Sequence, residues 1–206
     1  METENLESII QKATGICISR TEKVYSNEVF TELCERVKNH VRRRRELQNV
    51  VHVHVGEMNS IIQRPSEVVL KKQESLDFLF CDGSVIRFSS FGEMELELTR
   101  VKVPTGNRGK GLGGYIMTLA LGIISKCLGF EPTIWLECTG ALGAGDTYEE
   151  YPIEKQISFF ERFNFSVECQ ESDMVYAQMV RYGEVGGVPL SYPPPSLRCL
   201  SLDKRC

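Results

Sequence analysis

The sequence predicts one mixed α/β domain of the α+β kind, and three observations carry that prediction. Stretches with apolar residues at every second position alternate along the chain with stretches in which they recur every three to four. Asp82-Gly83 sits between two β-type runs, a hairpin signal because a type I′ turn needs positive φ at both central residues. A glycine-rich loop, Arg108 to Gly114, opens directly into a long apolar-striped helix. At 206 residues the chain is long enough for one good core and marginal for two domains.

The elements follow in order. Leu6, Ile9, Ile10 and Ala13 mark a short helix over residues 1–13, and Thr14 to Ser19 a short strand. Val29, Leu33, Val37 and Val41, with Phe30 and Cys34 beside them, give the stripe of an amphipathic helix from about Asn27 to Leu47. Val50 to Val55 alternates strictly and reads as a half-buried strand. Leu76 to Phe80 and Val85 to Ser89 are the arms of the hairpin. Glu93 to Val103 alternates again, with Met94, Leu96 and Leu98 on one face, and Pro104 ends it by removing a backbone donor. Leu112, Tyr115, Ile116, Leu119, Ile123 and Cys127 stripe the next helix. Thr133 to Cys138 is a buried-type strand, and Ile153, Ile157 and Phe160 mark another helix. Ser166 to Cys169 and Met174 to Val180 form a final hairpin, and the tail from Gly183, with Gly186-Gly187 and Pro193 to Pro195, reads as irregular.

Composition narrows the function classes. Hydrophobic residues are 42% and charged residues 25% of the chain, and the formal net charge is −4, so no whole-molecule field attracts nucleic acid. No apolar run is long enough to span a bilayer, and residues 1–11 lack the features of a secretory signal. The eight cysteines show no CxxC spacing, which argues against zinc or a redox motif and for free thiols in a reducing cytoplasm.

The glycine loop carries the chemistry. Glycines at 109, 111 and 113 remove side chains where a backbone must approach a ligand closely, and the amides and dipole of the helix N-terminus suit an anion. Arg108 and Lys110 add positive charge. A Walker A loop is excluded because Leu112 and Gly113 follow Gly111 where Lys and Ser/Thr are required. Gly109, Gly111 and Gly114 meet the dinucleotide pattern, but no acidic residue ends a second strand about 20 residues later. A plain strand-to-helix turn remains the simpler alternative.

Here the sequence resembles the GCN5-related N-acetyltransferase family, whose acetyl-CoA signature is Arg/Gln-x-x-Gly-x-Gly/Ala at a strand-to-helix turn. Arg108-Gly109-Lys110-Gly111-Leu112-Gly113 matches it in full, and Val101-Lys102-Val103-Pro104 is similar to the end of the family's fourth strand. Gly114 to Leu128 is similar to its third helix, and Ile134 to Cys138 to its fifth strand. Ile157 to Phe165 is similar to its Tyr-Glu-x-x-Gly-Phe helix end. The resemblance covers about residues 76–181. It implies residues 66–181 as the acetyl-CoA-binding core, residues 1–65 as a variable helical part on the acceptor side with the first strand, and 182–206 as a tail. It further implies a mixed, mostly antiparallel sheet, flanked by helices and splayed between its fourth and fifth strands, with acetyl-CoA in the V. The amides of Gly109, Lys110, Gly111, Leu112 and Gly113 would then hold the pyrophosphate, Val103 would pair with the pantetheine arm, and the Val101 N–H would polarise the thioester carbonyl.

An ammonium cannot attack a thioester, so the site needs a base. In several family members it is a glutamate six residues before the strand's terminal valine, where Glu97 stands, with Glu93 and Glu95 on the same face. The bland alternative is a solvated strand face. The family's tyrosine acid falls at Phe160, its helix asparagine at Ile153, and its glycine at Asn164, a residue that tolerates the left-handed conformation. The connection from Thr139 to Pro152 is long. In it Tyr148 or Tyr151 is a candidate replacement acid, and Asp146, Glu149 and Glu150 suit a cationic amine.

Arg42 to Arg45 favours a helix C-terminus through the dipole, with contact to nucleic acid or an acidic protein as the sharper alternative. His52 and His54 share a strand face without a third metal ligand, and Trp135 reads as core. The expectation is therefore an acetyl-CoA-dependent N-acetyltransferase acting on a primary amine by direct attack, with no metal, no membrane and no nucleic acid. A homodimer is compatible with it. The alternative is a catalytically reduced CoA-binding relative acting through a protein partner.

Overall fold

The computed structural model describes residues 20–23, 28–64, 67–91, 95–139, 152–170, 176–185 and 188–189. After a short strand β1 (Arg20–Lys23), helix α1 (Glu28–Arg42) turns Phe30, Leu33, Cys34, Val37 and Val41 inward. Glu32 pairs with Arg36 on its outer side at 2.6 Å. The helix does not continue to Leu47. Arg44 is extended, and a separate turn of helix α2 (Arg45–Gln48) follows, with the Gln48 amide donating to the carbonyl of Arg42. The break redirects the chain into the edge strand β2 (Val51–Arg64), which runs well beyond Val55.

Strand β2 pairs antiparallel with the whole of β3 (Glu67–Phe80), from Val51 opposite Phe80 to Arg64 opposite Glu67. The other edge of β3 is shared: β4 (Val85–Ser90) covers residues 75–79 and β1 pairs parallel with residues 69–72. β4 pairs antiparallel with β5 (Glu95–Lys102), β5 parallel with β6 (Thr133–Thr139), and β6 and then β7 (Ser166–Gln170) antiparallel with β8 (Tyr176–Arg181). The eight strands form one mixed sheet, mostly antiparallel. Helices α3 (Leu112–Leu128) and α4 (Ile153–Glu161) complete the core. β9 (Glu184–Val185) and β10 (Val188–Pro189) pair as a two-stranded ribbon, so this part of the tail is not irregular.

The strands have two unlike faces. Leu76, Phe78, Ile86, Phe88, Leu96 and Leu98 meet α1 and α3 in one apolar cluster, where Phe78 and Phe88 pack edge-on at 6.0 Å. The opposite face carries Gln73, Asp77, Ser89, Glu95 and Glu97. Arg36 reaches from α1 to the carbonyl of Cys127 at 3.4 Å, meeting a group the last turn of α3 leaves without an intrahelical partner.

The hairpin around Asp82-Gly83 forms, but its turn is not type I′. Gly83 has φ 85° while Asp82 does not share the positive region. Phe80 N–H donates to Ser84 O, closing a three-residue loop with one left-handed glycine. The Asp82 side chain explains the choice: its carboxylate accepts from the Ser84 N–H at 3.0 Å and the Ser84 hydroxyl at 2.7 Å. The expectation of free thiols holds at Cys34, Cys81, Cys127 and Cys138 but is corrected at Cys169, which is disulfide-bonded. The expected helix over 1–13, the strand over 14–19 and the start of the last strand at Met174 also lie outside them.

Phe88 is fully buried where strand and helix layers meet. Phe88→Ala should lower unfolding free energy by ~3–5 kcal/mol in urea titration, whereas Val29→Ala, on the exposed side of α1, should stay within about 0.5 kcal/mol of wild type.

Candidate functional site

The central feature of the sheet is a parting of two strands. β5 and β6 are in parallel register from Glu95 opposite Thr133 to Leu98 opposite Leu136, and there the pairing stops. Both strands go on. β5 continues against β4 through Lys102, and β6 continues against β8 through Thr139. Each is thus held on its outer edge while the inner edges open into a V. The cause is local. Phe88 lies opposite Leu98 and Arg87 opposite Arg100, so Thr99 is an extra residue in β5. Such a bulge bends its strand and increases twist. The Thr99 hydroxyl donates to Arg87 O at 3.3 Å across the irregularity.

Beyond the bulge the alternation changes phase. Leu96 and Leu98 face the core, but so does Val101, opposite Ile86. Val101 and Val103 pack half-buried on the core, which places the end of β5 under the glycine loop. A single 3-10 turn (Thr105–Asn107) follows Pro104. Asn107 donates to the Asp82 carboxylate at 3.3 Å, tying this turn to the β3–β4 hairpin. Burial alone would raise the Asp82 pKa, but hydrogen bonds from Ser84 and Asn107 outweigh it and hold it below its ordinary value.

The loop then climbs to the N-terminus of α3. Arg108 Nε donates to Val103 O at 3.1 Å and Lys110 Nζ to Gly106 O at 2.6 Å, so both cations fold back onto the loop. Gly109 and Gly111 have φ of 76° and 77°, a conformation that disfavours any side chain. Gly111 is the N-cap of α3, with no side chain capping the helix, so the first-turn amides of Leu112 and Gly113 project from the dipole's positive end. Gly113 is small for packing: a Cβ there would meet the Phe159 ring at 3.3 Å and Val103 at 3.7 Å. Gly114 is different. Its φ is not positive and a Cβ would meet no described atom within 4 Å. Neither backbone nor packing explains a glycine that costs the helix about 1 kcal/mol relative to alanine.

Under the loop lies an aromatic floor. Phe159 packs on Phe160 at 5.1 Å and on Phe163 at 5.3 Å, and Phe160 meets Phe165 at 5.8 Å. Asn164 has φ 64°, the left-handed conformation its sequence position suggests. Ile153 is buried.

On the polar face Glu97 is half-buried and its carboxylate accepts from the Ser89 hydroxyl at 3.2 Å. Glu97 lies one pair before the V opens. Glu95 shares its face and accepts from Trp135 Nε1 at 3.1 Å, so the buried Trp135 belongs to the polar face, stacked on Phe91 at 5.7 Å. Asp77 and Arg87 form a two-pronged ion pair, each contact 2.7 Å, and Asp77 raises the Arg87 pKa. Cys138, on β6 beyond the parting, is buried among apolar groups and its thiol is pushed up to about 12, so it is not a thiolate nucleophile at neutral pH.

Tyr148, Tyr151, Asp146, Glu149, Glu150 and Glu93 lie outside the described residues. Arg42 to Arg45 are exposed, as are His52 and His54, and among the described residues no three His, Cys, Asp or Glu side chains group to hold a metal. No described helix is long and apolar enough to cross a membrane. Sequence reading missed Gln73, Ser89 and the Asp82–Asn107 link. Only the Asp-Gly turn gave any sign of the last.

No protein-family profile and no curated protein matches the chain. Among solved structures it is similar to Ard1 from Thermoplasma volcanium, 16% identical with TM-score 0.38, over 52% of this chain and 68% of that one. It is also similar to a nourseothricin acetyltransferase, 14% identical with TM-score 0.36, over 68% of this chain and 88% of that one. A third is a PaiA N-acetyltransferase from Thermoplasma acidophilum in complex with coenzyme A, 17% identical with TM-score 0.38, over 52% of this chain and 58% of that one. At such identities and TM-scores the likeness says nothing of this chain's own activity.

The lowered Asp82 pKa has a definite sign. Its contribution to stability is complete above an ordinary carboxylate pKa of about 4 and is lost as pH falls through the lowered folded value. Asp82→Ala should therefore be less stable than wild type at pH 7 in chemical denaturation, with the difference shrinking as pH falls below the ordinary carboxylate range. A difference that persists unchanged in acid would contradict the role given to this carboxylate.

Proposed function

We propose that this chain is an acetyl-CoA-dependent N-acetyltransferase of the GCN5-related kind. The observation that carries the proposal is the combination of a parallel strand pair that parts at a bulge with an anion-ready helix N-terminus directly above the parting. A thioester on a long, flexible, diphosphate-bearing arm needs both: amides for the diphosphate and an open strand edge for the amide-containing arm.

The residues present suit that arm. The amides of Gly109, Lys110, Gly111, Leu112 and Gly113 receive the pyrophosphate, with Arg108 and Lys110 holding positive charge at the loop. The Val103 backbone pairs with the pantetheine. The Val101 N–H donates to the thioester carbonyl, which becomes an oxyanion as the amine adds. Glu97 takes the proton from the acceptor ammonium, directly or through water. The neutral nitrogen attacks the carbonyl carbon, the adduct nitrogen gives its extra proton to water, the C–S bond breaks, and the thiolate leaves. Phe160 has no proton to give. Tyr148 or Tyr151 supplies one, or the thiolate departs unaided. The acceptor is a primary amine drawn to the acidic face around Glu95 and Glu97, with residues 1–65 and the 139–152 connection shaping its choice.

Phe160, packed among phenylalanines, favours a second reading: a protein that holds CoA and has lost most of its turnover. Calorimetry with acetyl-CoA, followed by thiol release over a panel of amines and proteins, separates the two. Tight binding with no acceptor-dependent release supports the second, and absence of binding removes both. Gly111→Val, forced into a left-handed φ, should weaken acetyl-CoA binding at least about ten-fold without unfolding the chain. Glu97→Gln should leave that affinity intact and slow turnover about a hundred-fold. Undiminished turnover in Glu97→Gln rules Glu97 out as the base.

A further inference from the structure

A polar chain crosses three strands on the face opposite the helices. Gln73 Nε2 of β3 donates to Ser89 Oγ of β4 at 3.0 Å, and the Ser89 hydroxyl donates to Glu97 Oε2 of β5 at 3.2 Å. Ser89 and Glu97 are directly opposed in the register. Ser89 is 0% exposed and Gln73 4%.

The direction of this chain follows from the groups themselves. An ionised carboxylate only accepts, so the Ser89 proton must point at Glu97. With its one proton committed, the hydroxyl meets Gln73 as an acceptor, which requires the amide nitrogen rather than the oxygen. Met58 Sδ, a weak acceptor 3.5 Å from the same nitrogen, agrees. The consequence is visible at the far end: Gln73 Oε1 is buried with no hydrogen-bond partner among the described residues. A protein that leaves a buried carbonyl unsatisfied pays for some other requirement. Turning the amide over would let Ser89 donate to Oε1, but at the loss of the Glu97 bond.

We infer that Ser89, oriented by Gln73, is a positioning residue that holds the Glu97 carboxylate ionised and aimed. The inference rests on the role of Glu97 proposed above. Among the described residues, Glu95 shares the face of Glu97 on β5, Glu137 lies further along β6, and Arg87 on β4 is bonded to Asp77 of β3. Arg100, opposite Arg87, is exposed beyond the bulge. The Ser89 hydroxyl is a neutral donor to the Glu97 carboxylate, and such a bond favours the charged form.

The test is the titration of Glu97 in the free protein by carbon-13 NMR of labelled glutamate carboxyls, the resonance assigned by its loss in Glu97→Gln. Ser89→Ala should raise the Glu97 pKa by about one unit, equivalent to a ten-fold loss of ionised form on the acidic limb. Ser89→Thr, which restores a hydroxyl, should bring it back, and Gln73→Met should raise it by less than Ser89→Ala. Amide spectra of each variant check that the sheet is intact. Where Ser89→Ala is destabilised, the Gln73→Met and Ser89→Thr titrations carry the decision. An unmoved Glu97 titration in the folded variants overturns the inference, whatever acetyl-CoA does. A shifted titration with no acetyl-CoA binding supports the inference and overturns only the acetyl-CoA readings. Unchanged turnover in Glu97→Gln overturns the catalytic significance of both.

Discussion

One extra residue organises this molecule. Thr99 in β5 has no opposite number in β4, and the bend it introduces is where β5 leaves β6. The break in pairing is tolerable because each strand stays in a ladder on its other side, so opening the V does not release either from the sheet. The bulge also decides what lies on each side of the opening. Before it the leucines face the helices and the glutamates face away. After it Val101 and Val103 turn to the helix side and lead into the loop. A straight strand of the same composition would pair with β6 to its end.

Much of the fold was readable from residue patterns because it depends on local periodicity. The stripe of Val29, Leu33, Val37 and Val41 is a helix face, and the alternation from Glu95 to Leu98 is a strand with a carboxylate side. Asn164 was readable as a left-handed position because few residues other than glycine accept one. What failed were boundaries set by tertiary demands. The four arginines continue a helical pattern, yet the chain must turn after Arg42 to reach the sheet edge. Strand β2 extends past its apolar alternation because β3 offers it a ladder along its full length. The Asp82-Gly83 hairpin was right in kind and wrong in turn type, since Asp82 serves its carboxylate instead of adopting positive φ.

The candidate site divides along the same line. The glycine loop is contiguous, so its logic is written in consecutive letters. The surroundings of Glu97 are not. Ser89 and Gln73 come from other strands, and neither residue type announces a role. Only the register brings them to one carboxylate. The bulge is equally silent, because it exists only as a mismatch between two strands. The phase change it causes contradicts simple alternation, which would have put Val101 on the glutamate side.

The link from Asn107 to Asp82 has a consequence for recognition. Asp82 belongs to the tip of a hairpin whose arms are in the middle of the sheet, and Asn107 to the turn that launches the glycine loop. With Arg108 and Lys110 also bonded to backbone carbonyls nearby, the loop is braced from three directions. A loop braced in this way has little freedom left to lose, so under the proposed function little of the binding energy is spent on ordering it. On that reading its selectivity rests on a rigid outline: an incoming group has to match amides that are already in place rather than draw them into position.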